Sequence, residues 1–366
     1  MSEAQVFEKP QQGEIFSSLA QHDHEMVVFC QDQATGLRSI IAVHNTTLGP
    51  AMGGLRMWPY ADEAAALRDA LRLSRAMTLK SALAGINVGG GKAVIMGHAR
   101  TDKSEALLRR FGRFVHNLNG KYYTAEDVGM SEADMELIRL ETPFVTGVSP
   151  LMGGSGDPSP VTAYGTYLGM KAALKVATGS DSLSGKQVMV QGVGHVGAHL
   201  VRHLVQENAR VFVYDLYPDV LAAVASETGA QVVSPEEVFT TPVDVFAPCA
   251  LGGVLNPDTI PLLSCDVVAG AANNQLLDET RDGEALAARG ILYAPDFMVN
   301  AGGIINVSLE LSGYHHDRAM RLTERIYDTT LQVLTTARDE GITPHVAAVR
   351  QAEARIRAVG HNRLFT

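Results

Sequence analysis

The stretch from 188 to 200 reads VMVQGVGHVGAHL and carries Gly192, Gly194 and Gly197 in the spacing GxGxxG. An apolar strand-like run precedes the glycines and a helix-like run follows them. That context gives the spacing its meaning. The first glycine permits the tight turn, the second lets a pyrophosphate approach the backbone, and the third lets helix and strand pack closely. The helix that opens at His195 and Val196 presents free N–H groups to phosphate oxygens. An acidic residue is expected about 20 positions on, and Asp215 closes RVFVYD eighteen residues after Gly197. Its carboxylate suits ribose hydroxyls and repels a 2′-phosphate. No Arg or Lys follows in LYPDV to offset that repulsion. NAD is therefore expected in preference to NADP.

Working outward, VMVQG, RVFVYD, QVV, DVFAPC, VVAGAAN and ILYAPDF alternate with helix-length segments. That rhythm implies a parallel, doubly wound sheet. Upstream, VSPLMGGSGDPSPVTAYG is dense in Gly, Pro and Ser and marks a boundary. The expected organisation is two α/β domains. Residues 1–149 form an N-terminal substrate-binding and oligomerisation domain, completed by helical residues from about 335 to 366. Residues 150–334 form a Rossmann-type dinucleotide domain, with the active site in the cleft between the two. Within the first domain, MVVFCQD and RSIIAVHNT read as strands and GPAMGG as a glycine-rich bend. Residues 62–79 read as a helix with Asp62 as its cap, and AGINVGGGKAVIMG as a glycine-punctuated loop feeding a strand. Residues 1–14 read as a frayed leader.

A length of 366 residues favours two domains. The net charge of -10 argues against nucleic acid and against anionic lipid surfaces as partners. No run approaches the length of a membrane helix, and the polar, acidic N-terminus is no secretory signal. Cys30, Cys249 and Cys265 show no CxxC spacing, so neither a disulfide framework nor a metal site is expected. A cytoplasmic setting follows.

Lys80 and Lys92 lie twelve residues apart, the second after three glycines, and Asp127 follows a strand. These groups suit chemistry on an α-amino acid. The carboxylate needs a fixed cation, the amine must lose a proton, and the iminium that forms must be attacked by water. A second cation about 6 Å from a lysine, at an effective dielectric of about 20, disfavours its charge by roughly 3 kcal/mol. That is about two pKa units downward, which brings a lysine towards useful basicity. Taken singly, a lysine is usually a solvated surface charge, and an aspartate in a loop is usually a cap or turn residue.

At these residues the chain resembles the glutamate/leucine/phenylalanine/valine dehydrogenase family. TTLGPAMGGLRMWPY, AMTLKSALAGINVGGGKAVI, YTAEDVGM, SPVTAYG, FAPCALGG, VVAGAANNQL and APDFMVNAGGIINV occur in the family's order, with wording nearest its leucine-type branch. The resemblance implies NAD-dependent, reversible oxidative deamination. It implies Lys92 as the acid/base that activates water, Lys80 as the holder of the substrate carboxylate, and Asp127 as the proton handler on the amine. Gly53 and Gly54 match the glycine pair beside the substrate. Thr162, Ala271, Asn273 and Asn300 match positions near the nicotinamide, the two asparagines also near the substrate. Leu55 and the pair His98-Ala99 depart from frequent family residues, which bears on pocket shape rather than on chemistry.

By family position the side-chain pocket comprises Met52, Ala125, Ile304 and Val307. All are apolar, so an uncompensated γ-carboxylate is disfavoured. Ala125 narrows the pocket relative to the glycine of a phenylalanine-preferring relative. The expected substrates are branched-chain L-amino acids or their 2-oxo acids with ammonium, and the expected assembly is a homo-oligomer. The rival readings are an aromatic amino-acid dehydrogenase and a non-catalytic NAD-binding scaffold.

Overall fold

In the computed structural model, which describes residues 15–363, the GxGxxG motif sits at the middle of the second of two sheets. The leader at 1–14 and the last three residues of the C-terminal segment lie outside the described residues. The chain divides into two units, one running up to Thr78 and resuming over Asn87–Val148, the other made of Leu79–Ile86 and the chain from Ser149 onward. No helix among the described residues is long and apolar enough to cross a membrane.

The first unit contains α1 (Ile15–Ala20), β1 (Met26–Asp32), β2 (Leu37–Asn45), β3 (Ala51–Trp58), most of α2 (Glu63–Leu83), β4 (Gly89–Met96), α3 (Glu105–Asn117), β5 (Tyr122–Glu126) and α4 (Glu132–Arg139). Its sheet has the order β1-β2-β4-β3-β5, with β4, β3 and β5 parallel and β1 and β2 antiparallel. Strand alternation sorts the side chains onto two faces. Ile41, Leu55, Met57, Ala93, Ile95 and Tyr122 pack with Leu108, Phe111, Met135 and Ile138 of α3 and α4. On the other face Ile40, Ala42 and Val94 pack with Ala66, Ala70 and Leu71 of α2. Local signals fix the helix starts. Asp62 accepts from Ala65 N at 2.6 Å, and Ser131 with Asp134 forms a capping box at α4.

GPAMGG is not a bend. Its last four residues open β3, and the glycines before Lys92 are likewise inside β4 rather than in a loop. A Cβ at Gly53 would lie 1.7 Å from the Gly91 carbonyl oxygen, and one at Gly90 would lie 2.1 Å from Thr78 Oγ1. The glycines therefore mark places where strands and α2 approach too closely for any side chain.

The second unit holds α5 (Ser159–Thr178), β6 (Gln187–Gln191), α6 (His195–Gln206), β7 (Arg210–Tyr214), α7 (Pro218–Thr228), β8 (Gln231–Val232), β9 (Val245–Pro248), β10 (Val267–Val268), α8 (Arg281–Ala288), β11 (Leu292–Tyr293), α9 (Asp296–Val299), α10 (Gly302–Ser308), α11 (His316–Glu340) and α12 (Pro344–Arg363). Its six strands are all parallel in the order β11-β10-β9-β6-β7-β8. The chain leaves β6 in one direction and returns to β9 on its other side. This reversal is the switch point at which such sheets bind ligands. At the C-terminal helix, Arg355 of α12 donates to the carbonyls of Ser81, Ala82 and Ile86 at the end of α2.

Burial holds the thiols of Cys30, Cys249 and Cys265 up at about 12. Beneath α2, His44 Nε2 donates to the His22 carbonyl (2.9 Å), its Nδ1 lies 2.8 Å from Thr78 Oγ1, and its ring meets that of His24 edge-on at 4.7 Å. Burial, with the positive potential of His24 and Arg75, lowers His44 from 6.5 to about 4. The unfolded chain takes up this proton near pH 6.5 and the folded chain only near 4, so stability is constant above about 6.5 and falls as the pH drops towards 4. Thermal melting between about pH 7 and pH 5 should show this loss, roughly 1–2 kcal/mol from His44 at the lower pH. His44→Asn should flatten that dependence, and an equally steep one in the variant would refute the assignment.

Candidate active site

In the first unit, β3, β4 and β5 bring six of the expected residues together: Met52, Gly53, Gly54, Lys92, Ala125 and Asp127. Lys92 on β4 is buried, and its Nζ donates to Asp127 Oδ2 at 2.6 Å. Asp127 follows β5, and its approach depends on Gly54, where a Cβ would lie 2.7 Å from the Asp127 Cβ. Gly54 pairs directly with Ala125, and Gly53 with Thr124. The Tyr122 hydroxyl donates to the Gly53 carbonyl at 2.6 Å and fixes the strand beneath. Met52, on the same strand, is fully buried.

Arg56 joins this group without having been expected from sequence. Its Nε donates to the same Asp127 Oδ2 at 3.0 Å, and its Nη1 donates to Asp69 Oδ2 at 3.0 Å. Burial works against the charge of Asp127, but Lys92 and Arg56 outweigh it and lower the carboxyl to about 2. Strand alternation carried the signal for Arg56, since it is two residues beyond Gly54 and so shares its face.

In the second unit Lys80 donates to Asn273 Oδ1 at 3.1 Å, and Asn300 Nδ2 donates to the same oxygen at 2.8 Å and to the Ala271 carbonyl at 3.0 Å. Lys80 and Lys92 thus belong to different units. Asn300 is buried, and its Oδ1 has no partner among the described residues. A buried acceptor of this kind is costly unless a ligand donates to it. Thr162 on α5 donates to the Pro158 carbonyl at 2.9 Å, and a Cβ at Gly303 would lie 2.8 Å from Thr162 Oγ1. Ile304 and Val307, buried on α10, follow on that helix.

Asp296 was also missed. It accepts from Tyr293 Oη at 3.1 Å and from the Asn274 backbone N–H, which shapes the loop that carries Asn273. Burial raises its carboxyl, against the opposing pull of Lys80. Asn274 has φ 53, a left-handed conformation that asparagine tolerates. Only the Asn-Asn pair hinted at this turn in the sequence.

The dinucleotide motif forms its own cradle. Gly192 has φ +97, and a Cβ there would lie 2.7 Å from Ala250 N. A Cβ at Gly197 would lie 2.0 Å from the Gly192 carbonyl, whereas one at Gly194 meets nothing within 4 Å. The loop is thus closed towards the protein and open outward at Gly194 and His195. Gly194 caps α6 with no side-chain bond to its first N–H groups. Asp215 Oδ2 accepts from Val193 N at 2.8 Å, and Oδ1 accepts from Tyr217 N at 3.0 Å. Each oxygen keeps a lone pair for a hydroxyl donor. These residues fit a dinucleotide.

Comparison with known proteins covers most of the chain. Residues 24–143 match the model described as Glu/Leu/Phe/Val dehydrogenase, dimerisation domain. Residues 153–215 and 215–362 match Glutamate/Leucine/Phenylalanine/Valine dehydrogenase. The chain is 55% identical over 343 residues to leucine dehydrogenase of Geobacillus stearothermophilus, covering 94% of this chain and 93% of that protein. It is 54% identical over 342 residues to leucine dehydrogenase of Thermoactinomyces intermedius, covering 93% of each. The solved structure of L-tryptophan dehydrogenase from Nostoc punctiforme superposes with a TM-score of 0.84 at 45% identity, covering 95% of this chain and 100% of that one. With two family models spanning both units and relatives alike over half their positions, the chain belongs to the glutamate/leucine/phenylalanine/valine dehydrogenase family.

Proposed function

We propose that this chain catalyses the NAD-dependent, reversible oxidative deamination of branched-chain L-amino acids to 2-oxo acids and ammonia. The observation that carries the reading is the pairing of buried Lys92 with half-buried Asp127 at 2.6 Å. When bound, NAD supplies the oxidant, accepting a hydride from the substrate Cα. The rest is work for side chains. Lys80 holds the substrate carboxylate, with Asn273 fixing its ammonium group. Asp127, ionised across the working pH range, takes a proton from the substrate amine. Lys92 then serves as acid and base while water adds to the iminium and ammonia leaves. Because Lys92 and Asp127 share one short hydrogen bond, a proton passes between them without an intervening water, and the two act as one coupled base. The unpartnered Asn300 Oδ1 accepts from a bound amide or amine. Gly192, Gly194, His195, Val196 and Gly197 hold the pyrophosphate, Asp215 the ribose, and Thr162 and Ala271 the nicotinamide end.

On this reading residues 1–149, completed by about 335–366, carry most of the substrate site and the contacts of a homo-oligomer, and residues 150–334 carry NAD and add Asn273, Ile304 and Val307 to the substrate site. The dimerisation-domain match supports the former. Three free cysteines accord with a cytoplasmic setting.

Met52, Ala125, Ile304 and Val307 form the side-chain pocket and offer no cation to a glutamate γ-carboxylate. Two relatives named leucine dehydrogenase support the branched-chain choice. The 45% identical tryptophan dehydrogenase keeps an aromatic substrate as the rival.

Lys92→Ala should lower NADH production by about 10²–10⁴-fold, the range for a lost general acid/base, while NAD binding by titration is retained. Undiminished turnover would remove Lys92 from the reaction. In a panel of L-amino acids followed by NADH absorbance, leucine, isoleucine and valine should lead. Faster turnover of phenylalanine or tryptophan would reverse the substrate assignment. With leucine as substrate, kcat/KM with NAD should exceed that with NADP by at least about tenfold, given like charges near contact at Asp215.

A further inference from the structure

Asp127 offers one oxygen to two cations. Oδ2 accepts from Lys92 Nζ at 2.6 Å and from Arg56 Nε at 3.0 Å. Arg56 is fixed at its other end by Asp69 Oδ2 at 3.0 Å. That oxygen also accepts from the Tyr60 hydroxyl at 2.7 Å, and Arg72 reaches Asp69 Oδ1 at 3.3 Å. The guanidinium therefore bridges two carboxylates, one on α2 and one after β5, with about a fifth of its side chain exposed. A planar fork can do this and an ammonium cannot.

We propose that Arg56 is a positioning residue that holds the Asp127 carboxylate in place and remains its counterion while Lys92 disengages to serve the reacting groups. The inference rests on the reading of Lys92 and Asp127 as the acid/base pair. Detaching Lys92 from this half-buried carboxylate with no second partner would leave its charge uncompensated, which is unfavourable. With Arg56 in place the carboxylate keeps a charged donor throughout. The charged and titratable groups facing the pair are Arg56 of β3, Lys92 of β4, Asp69 and Arg72 of α2, Tyr60 of the turn between β3 and α2, and Tyr122 of β5.

Removing the Arg56 cation favours the protonated form of Asp127, so the acid limb of kcat/KM for deamination moves to higher pH. Removing the Asp69 anion does the opposite. The experiment is a pH profile of kcat/KM for leucine with Arg56→Met, Asp69→Asn and Lys92→Ala, with thermal melting of each. Arg56→Met should lower kcat/KM near neutral pH by about tenfold or more and move the acid limb up by about one unit. Asp69→Asn should move it down. Arg56→Met with an unmoved limb, or both variants shifting the same way, overturns the proposal and leaves Arg56 a structural brace. If Arg56→Met does not fold, Asp69→Asn decides alone, and an unmoved limb overturns the proposal. Full activity in Lys92→Ala instead overturns the parent reading. An inactive Lys92→Ala with an unmoved Arg56→Met limb rejects the Arg56 role only.

Discussion

Close approach of backbones, permitted only where side chains are missing, is the constraint on which the first unit depends. Lys92 can be buried on β4 because three glycines precede it, and Asp127 can reach it because Gly54 has no Cβ to block the way. Any side chain at Gly53 would strike the Gly91 carbonyl and separate β3 from β4. Separated strands would draw Lys92 and Arg56 apart, and with them the two donors that keep the half-buried Asp127 carboxylate ionised. Geometry and charge are in this sense one requirement: without the glycines there is no room for the ion pair.

The second unit was readable because its signals are local. GxGxxG between a strand and a helix, and an acid at the end of the next strand, are fixed by the steric needs of one turn and one helix end. In the fold Gly192 makes the turn, Gly197 permits close packing and Asp215 follows the end of β7. The parallel direction of the strands around β6 also follows from alternating strands and helices, because parallel strands demand crossovers.

The first unit was harder for the opposite reason. GPAMGG looks like a bend when read alone, since glycine is a turn residue by default. Its strand character comes from β4 and β5 on either side, which no local window contains. Arg56 was overlooked in the same way: its partners Asp69 and Asp127 are thirteen and seventy-one residues away. Asp296 has no sequence signature, because its importance lies in a backbone N–H on Asn274. Chemistry-bearing side chains were legible, whereas the groups that hold them had to be seen in three dimensions.

Asp215 has a consequence for how coenzyme preference could drift. Its two oxygens brace the phosphate loop through Val193 and the following turn through Tyr217. On the proposed reading, the residue that discriminates phosphorylated from unphosphorylated ribose is therefore also a structural strut. A neutral replacement that relieves repulsion would at the same time slacken the loop it is meant to serve. An evolutionary path towards the phosphorylated coenzyme has to supply a substitute brace before, or together with, the loss of the acid, which makes the present choice hard to leave by single steps.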